Sequence, residues 1–85
     1  MIRVKPPMSL WLRIVDQVAS ERHLRPEEIR RHTRMRPYVY ARRECWKRVI
    51  QERPNTSINA MAAMTGFDHA TILFGLKWLA RQEQR

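Results

Sequence analysis

The stretch SINAMAAMTGFDHATILFGLKW, residues 57–78, has the pattern of a helix-turn-helix and decides the predicted fold. Ser57 is a good N-cap for a first helix, because its hydroxyl can accept a hydrogen bond from an unpaired first-turn amide. Gly66 supplies the positive-φ corner between two helices. Asp68 then caps the second helix. We therefore predict a helix-turn-helix over about residues 57–80.

The second helix of this stretch has an inward face and an exposed first turn. Ile72, Leu76 and Leu79 follow one another at helical spacing, which places them on one buried stripe. The first turn is left exposed, where a recognition helix meets base edges in the major groove. Its residues are His69, Ala70 and Thr71. The pattern favours DNA binding, although any short pair of helices with a glycine corner can imitate it.

The composition indicates one small, basic domain with an all-α fold. Two glycines and the lack of strand-like alternation favour helices throughout the 85 residues. Seventeen Lys and Arg against eight Asp and Glu give a net charge of +9. This charge favours a polyanionic partner, either nucleic acid or an anionic membrane. A single cysteine and no visible signal peptide fit a cytoplasmic, nucleoid-associated protein.

The N-terminal half divides into an arm and two helices. We predict a flexible basic arm over residues 1–8 and a helical DNA-binding domain over residues 9–85, because two consecutive prolines prevent a helix through the arm. A helix with a buried apolar stripe should follow, and Pro26 suits the first position of a short second helix. The expected core residues of these two helices are Leu10, Trp11, Ile14, Val15, Val18 and Ile29.

An arginine-rich segment precedes the third helix. RRHTRMRP, residues 30–37, holds four arginines and no acid. Because Pro37 disfavours helix at Arg36, we expect a loop here and a helix from about Tyr38 to Arg53. A solvated charge run is the alternative to a nucleic-acid contact. The helix should carry Cys45 on its apolar face, Trp46 at the edge of that face, and Arg42, Arg43, Lys47 and Arg48 on other faces.

Three segments resemble the C-terminal DNA-binding domain of the bacterial replication initiator DnaA. IVDQVASERHLRPEEI, residues 14–29, is similar to the family's first and short second helices. RPYVYARRECWKRVI, residues 36–50, is similar to its basic loop and long helix. GFDHATIL, residues 66–73, is similar to the signature Gly-Arg-Asp-His-Thr-Thr-Val-Leu and is the most specific of the three. The resemblance implies a five-helix domain containing a helix-turn-helix.

The signature implies roles for the start of the last helix. In that family the Asp, the His and the first Thr face bases in the major groove, and the second Thr contacts backbone. Asp68, His69 and Thr71 match these residue types. Ala70 replaces the base-contacting Thr and can keep only a contact with a thymine methyl group. Phe67 replaces the signature arginine, so the family's preferred DNA sequence does not transfer.

The resemblance also implies contacts from the basic segment. Arg34 best matches an arginine that enters the minor groove, and Arg36 is its rival. Arg42 falls on a phosphate-contacting arginine, and Arg43 replaces a glutamine. The complete set of predicted DNA-binding residues is Arg34, Arg36, Arg42, Arg43, Lys47, Ser57, Asp68, His69, Ala70, Thr71 and Lys77.

We expect no enzymatic activity, metal or cofactor. The chain has no GxxxxGK[ST] run, so it lacks the nucleotide site of the initiator and is not expected to melt DNA. Its three histidines lack partners at metal-ligand spacing, and Cys45 should be an inert buried thiol. Membrane binding would need a continuous apolar outer face on a basic helix, whereas the apolar residues here are expected in the core.

The expected function is sequence-specific binding of double-stranded DNA. A stand-alone domain of this kind most resembles a transcription regulator, such as the small activators of phage-like or gene-transfer-agent genes. RNA polymerase or another regulator would be its protein partner. The alternatives are a replication modulator that competes for initiator boxes and a DNA-targeting domain of a larger protein.

Overall fold

The computed structural model describes residues 8–83, and these residues form five α-helices without a strand. This confirms the predicted all-α, five-helix fold. The arm predicted for residues 1–8 lies almost wholly outside the described residues, and Met8 is the first residue of α1. The helices are α1 (Met8–Arg22), α2 (Pro26–Arg30), α3 (Arg36–Glu52), α4 (Ile58–Thr65) and α5 (His69–Glu83).

The third helix begins earlier than predicted. We expected a loop through Pro37, but α3 starts at Arg36 with the proline in its first turn. A proline is tolerated there because its missing N–H would have no partner within the helix. The amides of Tyr38 and Val39 both donate to the Met35 carbonyl at 3.0 Å. The connection between the second and third helices, hereafter the α2–α3 loop, is therefore only residues 31–35.

The core lies between α1 and α3, and the other three helices pack around this pair. Trp46, predicted at the edge of the apolar face, is 2% exposed and belongs to the core. Cys45 is buried as predicted, and burial raises the pKa of its thiol to about 12, which keeps it protonated and unreactive near neutral pH. The largest fully buried side chains include Trp11, Trp46, Ile14, Ile29, Met61 and Ile72.

The corner between α4 and α5 has the local geometry predicted for it. The Ser57 hydroxyl accepts a 3.0 Å hydrogen bond from the Ala60 amide, which caps α4. Gly66 ends that helix with a φ of +81°, in the left-handed region that favours glycine. The Asp68 carboxylate accepts a 2.7 Å bond from the Thr71 amide and caps α5. Three short-range signals therefore set the direction of both helices.

A glycine allows α5 to cross close over α3. A Cβ atom on Gly75 would lie 2.7 Å from Cζ3 of Trp46 and 3.0 Å from Cγ of Arg43, closer than packed carbon atoms approach. The glycine is consequently buried, whereas the predicted inward residues Leu76 and Leu79 are only partly buried. The crossing fixes α5 on α3 and leaves its first turn at the surface.

We expect Ile72→Ala to destabilise the domain by about 2–4 kcal/mol, because a fully buried side chain would be replaced by a cavity. This is a large part of the roughly 5–15 kcal/mol that stabilises a typical domain. Urea unfolding followed by circular dichroism measures the change. Leu73→Ala on the same helix is the matched control, since Leu73 is 42% exposed. Equal losses in the two variants would mean that α5 packs on a different face.

Candidate nucleic-acid interface

The α2–α3 loop is organised by a buried arginine from α3. The Arg42 guanidinium donates to the carbonyl of Ile29 at 2.9 Å, to that of Thr33 at 3.3 Å, and to that of Arg31. Its side chain is enclosed, with 5% of the residue exposed. Hydrogen bonds from a charged donor to backbone carbonyls are among the stronger ones in proteins. Arg42 therefore fixes the backbone of the loop to α3.

This placement corrects the role that the resemblance implied for Arg42. Its guanidinium is directed at the loop backbone and is not an exposed phosphate contact. Burial lowers the pKa of this group, although an arginine stays charged in proteins. Helical spacing could have predicted that Arg42 is buried, because it lies four residues after Tyr38 and three before Cys45, on the buried stripe itself. A buried charge is tolerated there because each of its three nitrogens donates to a backbone carbonyl.

Phe67 joins the α2–α3 loop to the α4–α5 corner. Its ring is 4% exposed and lies 4.6 Å from the Arg42 guanidinium carbon. His32 of the loop stacks on the same ring, with 4.3 Å between centroids. The Trp46 ring meets it edge-on at 5.6 Å. The sequence showed Phe67 only as a replacement for the signature arginine, yet this residue holds the loop and the start of α5 on one surface.

The first turn of α5 is exposed, as predicted. His69, Ala70 and Thr71 all lie at the surface, and the His69 Nε2 atom shares a hydrogen bond with the Asn59 side-chain oxygen of α4. The amide of Thr71 lowers the pKa of the Asp68 carboxyl, and nearby His69 and His32 lower it further. A carboxylate and an oriented imidazole are therefore presented side by side.

Most ion pairs of the described residues lie away from the α2–α3 loop and the first turn of α5. The pairs Arg13–Glu52 and Arg48–Glu21, each at 2.6 Å, connect α1 to the C-terminal half of α3. In the α2–α3 loop, Arg31 has a 3.4 Å contact with Glu28. Within residues 8–83, the exposed Arg34 and Arg36 have no acidic partner. These two arginines therefore leave unneutralised positive charge on the α2–α3 loop and at the start of α3.

The remaining predicted cations and Ser57 are distributed around α3, α4 and α5. Lys47 pairs with Glu83 at 2.5 Å, at the opposite end of the 15-residue helix from His69. A rise of about 1.5 Å per residue separates the two ends by roughly 20 Å, so the structure does not bring Lys47 together with that turn. Lys77 is exposed on α5, whereas the exposed Ser57 serves as a helix cap.

Arg43 lies at the crossing of α3 and α5. Its guanidinium is 4.7 Å from the centroid of the Trp78 ring and 5.4 Å from that of Phe74. Trp78 itself stacks on Tyr40 at 5.3 Å. A cleft of about 290 Å³ opens between the two helices at this point. Its walls are formed by Val39, Arg42, Arg43, Trp46, Ala70, Thr71 and Phe74, so Arg43 is brought next to the predicted recognition turn.

Comparison with protein-family models, curated proteins and solved structures found no match. No helix within residues 8–83 is long and apolar enough to cross a membrane. In the same part of the chain, no three His, Cys, Asp or Glu side chains are grouped so that they could hold a metal ion. The resemblance of GFDHATIL, residues 66–73, to the DnaA signature stays a prediction.

Proposed function

We propose that this protein binds double-stranded DNA in a sequence-specific manner. The first turn of α5 enters the major groove, and the α2–α3 loop lies over the adjacent backbone, with Arg34 directed into the neighbouring minor groove. One observation carries the proposal: Arg42 and Phe67 fix the α2–α3 loop, which carries the unpaired Arg34, beside an exposed helix start. The net charge of +9 supports a polyanionic partner.

The chemistry of the turn favours base edges over phosphates. The ionised Asp68 carboxylate would repel a phosphate placed at the start of α5, although a helix N-terminus otherwise attracts one. The same carboxylate can accept a hydrogen bond from a cytosine amine. His69 beside it can donate or accept, depending on its tautomer. Arg36 and Arg43 of α3 and Lys77 of α5 supply the phosphate contacts instead.

We propose transcription regulation as the role of this binding, with RNA polymerase or another regulator as the protein partner. The resemblance to the DnaA domain supports binding at a small number of specific genomic sites. The small activators of phage-like genes are the nearest comparison. Genome-wide mapping of the tagged protein tests the role. Peaks at promoters would support regulation of transcription. A single peak at the replication origin would instead indicate a modulator that competes for initiator boxes.

We expect His69→Ala to relax the preference for particular base pairs. A good base contact provides about 1–3 kcal/mol of discrimination, and the imidazole is exposed and oriented by Asn59. Selection from random duplexes, performed with wild type and variant, measures the change. Arg36→Ala is the control, since a phosphate contact carries no sequence information and its loss should weaken target and random duplexes alike. Identical preferred sequences for wild type and His69→Ala would remove this turn from the recognition surface.

A further inference from the structure

The outward face of α5 is apolar in its second turn. Ile72 and Gly75 are buried and define the inward face of the helix. At 3.6 residues per turn, Ala70, Leu73 and Phe74 lie on the opposite side. Leu73 is 42% exposed and Phe74 is 57% exposed. The surface that follows the recognition turn along α5 therefore offers methyl groups and a ring edge in place of hydrogen-bonding groups.

Only one kind of group in the major groove suits such a surface. Base edges there present hydrogen-bond donors and acceptors, with the C5-methyl group of thymine as the apolar feature. Leu73 and Phe74 cannot satisfy a donor or an acceptor, so placing them against guanine, cytosine or adenine edges would leave polar atoms without partners. A thymine methyl group packed against either side chain loses water without losing a hydrogen bond.

We infer that Leu73 and Phe74 read thymine methyl groups, so that the preferred site carries thymines beside the second turn of α5. This inference rests on the proposed function and names the chemistry of its target. Leu73 lies four residues after His69, about 5–6 Å further along the same helix axis and thus about two base pairs along the groove. The Arg43 guanidinium of α3, 5.4 Å from the Phe74 centroid, stabilises the position of that ring by a cation–π contact.

Replacing thymidine with deoxyuridine tests the inference, because the exchange removes the methyl group and leaves the hydrogen-bonding edge unchanged. The preferred site is first obtained by selection from random duplexes. Each thymidine in it is then replaced in turn, and affinity is measured by fluorescence anisotropy. We expect about four-fold weaker binding for each methyl group that contacts the protein. Replacement at thymines outside the contacted positions should leave the affinity unchanged.

Protein variants identify the side chain that contacts each thymine methyl group. Phe74→Ala should bring the thymidine-to-deoxyuridine affinity ratio close to one at the thymine that it contacts, and Leu73→Ala should do so at another. Lys77→Ala on the same exposed side is the matched control, because it should weaken both duplexes equally and keep the ratio. Circular dichroism verifies that the variants are folded, as expected for exposed side chains.

Two results would overturn the inference while leaving the proposed function intact. One is sequence-specific binding with unchanged affinity at every deoxyuridine position. The other is an unchanged ratio in Phe74→Ala and Leu73→Ala together with a loss of self-association in sedimentation, which would assign the apolar face to a second copy of the chain. Equal binding of all duplex sequences by the wild type would overturn the proposed function as well.

Discussion

Arg42→Ala should destabilise the domain by about 3 kcal/mol and abolish tight DNA binding. The change removes the donor from three carbonyls, two in the α2–α3 loop and one in α2. Leaving a buried acceptor unpaired costs about 1–3 kcal/mol. It also removes the cation that lies over Phe67. The loop would lose its position beside α5, so affinity should fall even though Arg42 is not expected to contact DNA. Urea unfolding and duplex titration measure the two effects.

Two further variants distinguish the hydrogen-bond geometry of the Arg42 guanidinium from its positive charge. Arg42→Lys keeps the positive charge but cannot direct a planar guanidinium at three carbonyls, so it should be nearly as unstable as alanine. Arg43→Ala is the matched control, since that guanidinium lies over surface rings and its removal should cost less than about 1 kcal/mol. Wild-type stability in Arg42→Ala, with an equal loss of affinity for all duplexes, would restore the phosphate-contacting role implied by the resemblance.

The sequence predicted the features of the fold that depend on short-range chemistry. The Ser57 cap, the Gly66 corner and the Asp68 cap each involve atoms within about four residues, so the residue types alone were sufficient. Ile72 was predicted to be buried from its spacing, and the structure confirms it. Local patterns of this kind fixed the course of the chain through α4 and α5.

The long-range contacts of the site were not predictable in the same way. Arg42 reaches carbonyls 9 to 13 residues earlier in the chain, and only the path of the α2–α3 loop brings them within reach. The partner of Lys47, Glu83, lies on a helix that crosses α3 because Gly75 allows it. Phe67 and His32 likewise meet only through packing. Which cations stay free for DNA therefore depends on tertiary structure.

Duplex affinity should fall by about 150-fold when salt is raised from 50 to 200 mM. We expect about four counterions to be released: Arg36, Arg43 and Lys77 contact phosphates, and Arg34 in the minor groove also neutralises backbone charge. Arg42 is buried and Lys47 is paired with Glu83, so neither is counted. Each contact releases a condensed counterion, which gives a slope of roughly −0.9 per phosphate, or near −3.6 for log K against log salt. Fluorescence anisotropy at several salt concentrations measures this slope.

Single substitutions test that count of contacts. Arg36→Ala should make the slope less steep by about one, since it removes one phosphate contact. Lys47→Ala is the control: its ammonium is paired with Glu83 at the far end of α5, so the slope should stay unchanged. A slope near zero for the wild type, or equal affinity for vesicles of anionic lipid, would contradict duplex binding. An equal change of slope for Lys47→Ala and Arg36→Ala would instead mean that the protein binds through its overall positive charge, with no fixed orientation of α5 in the groove.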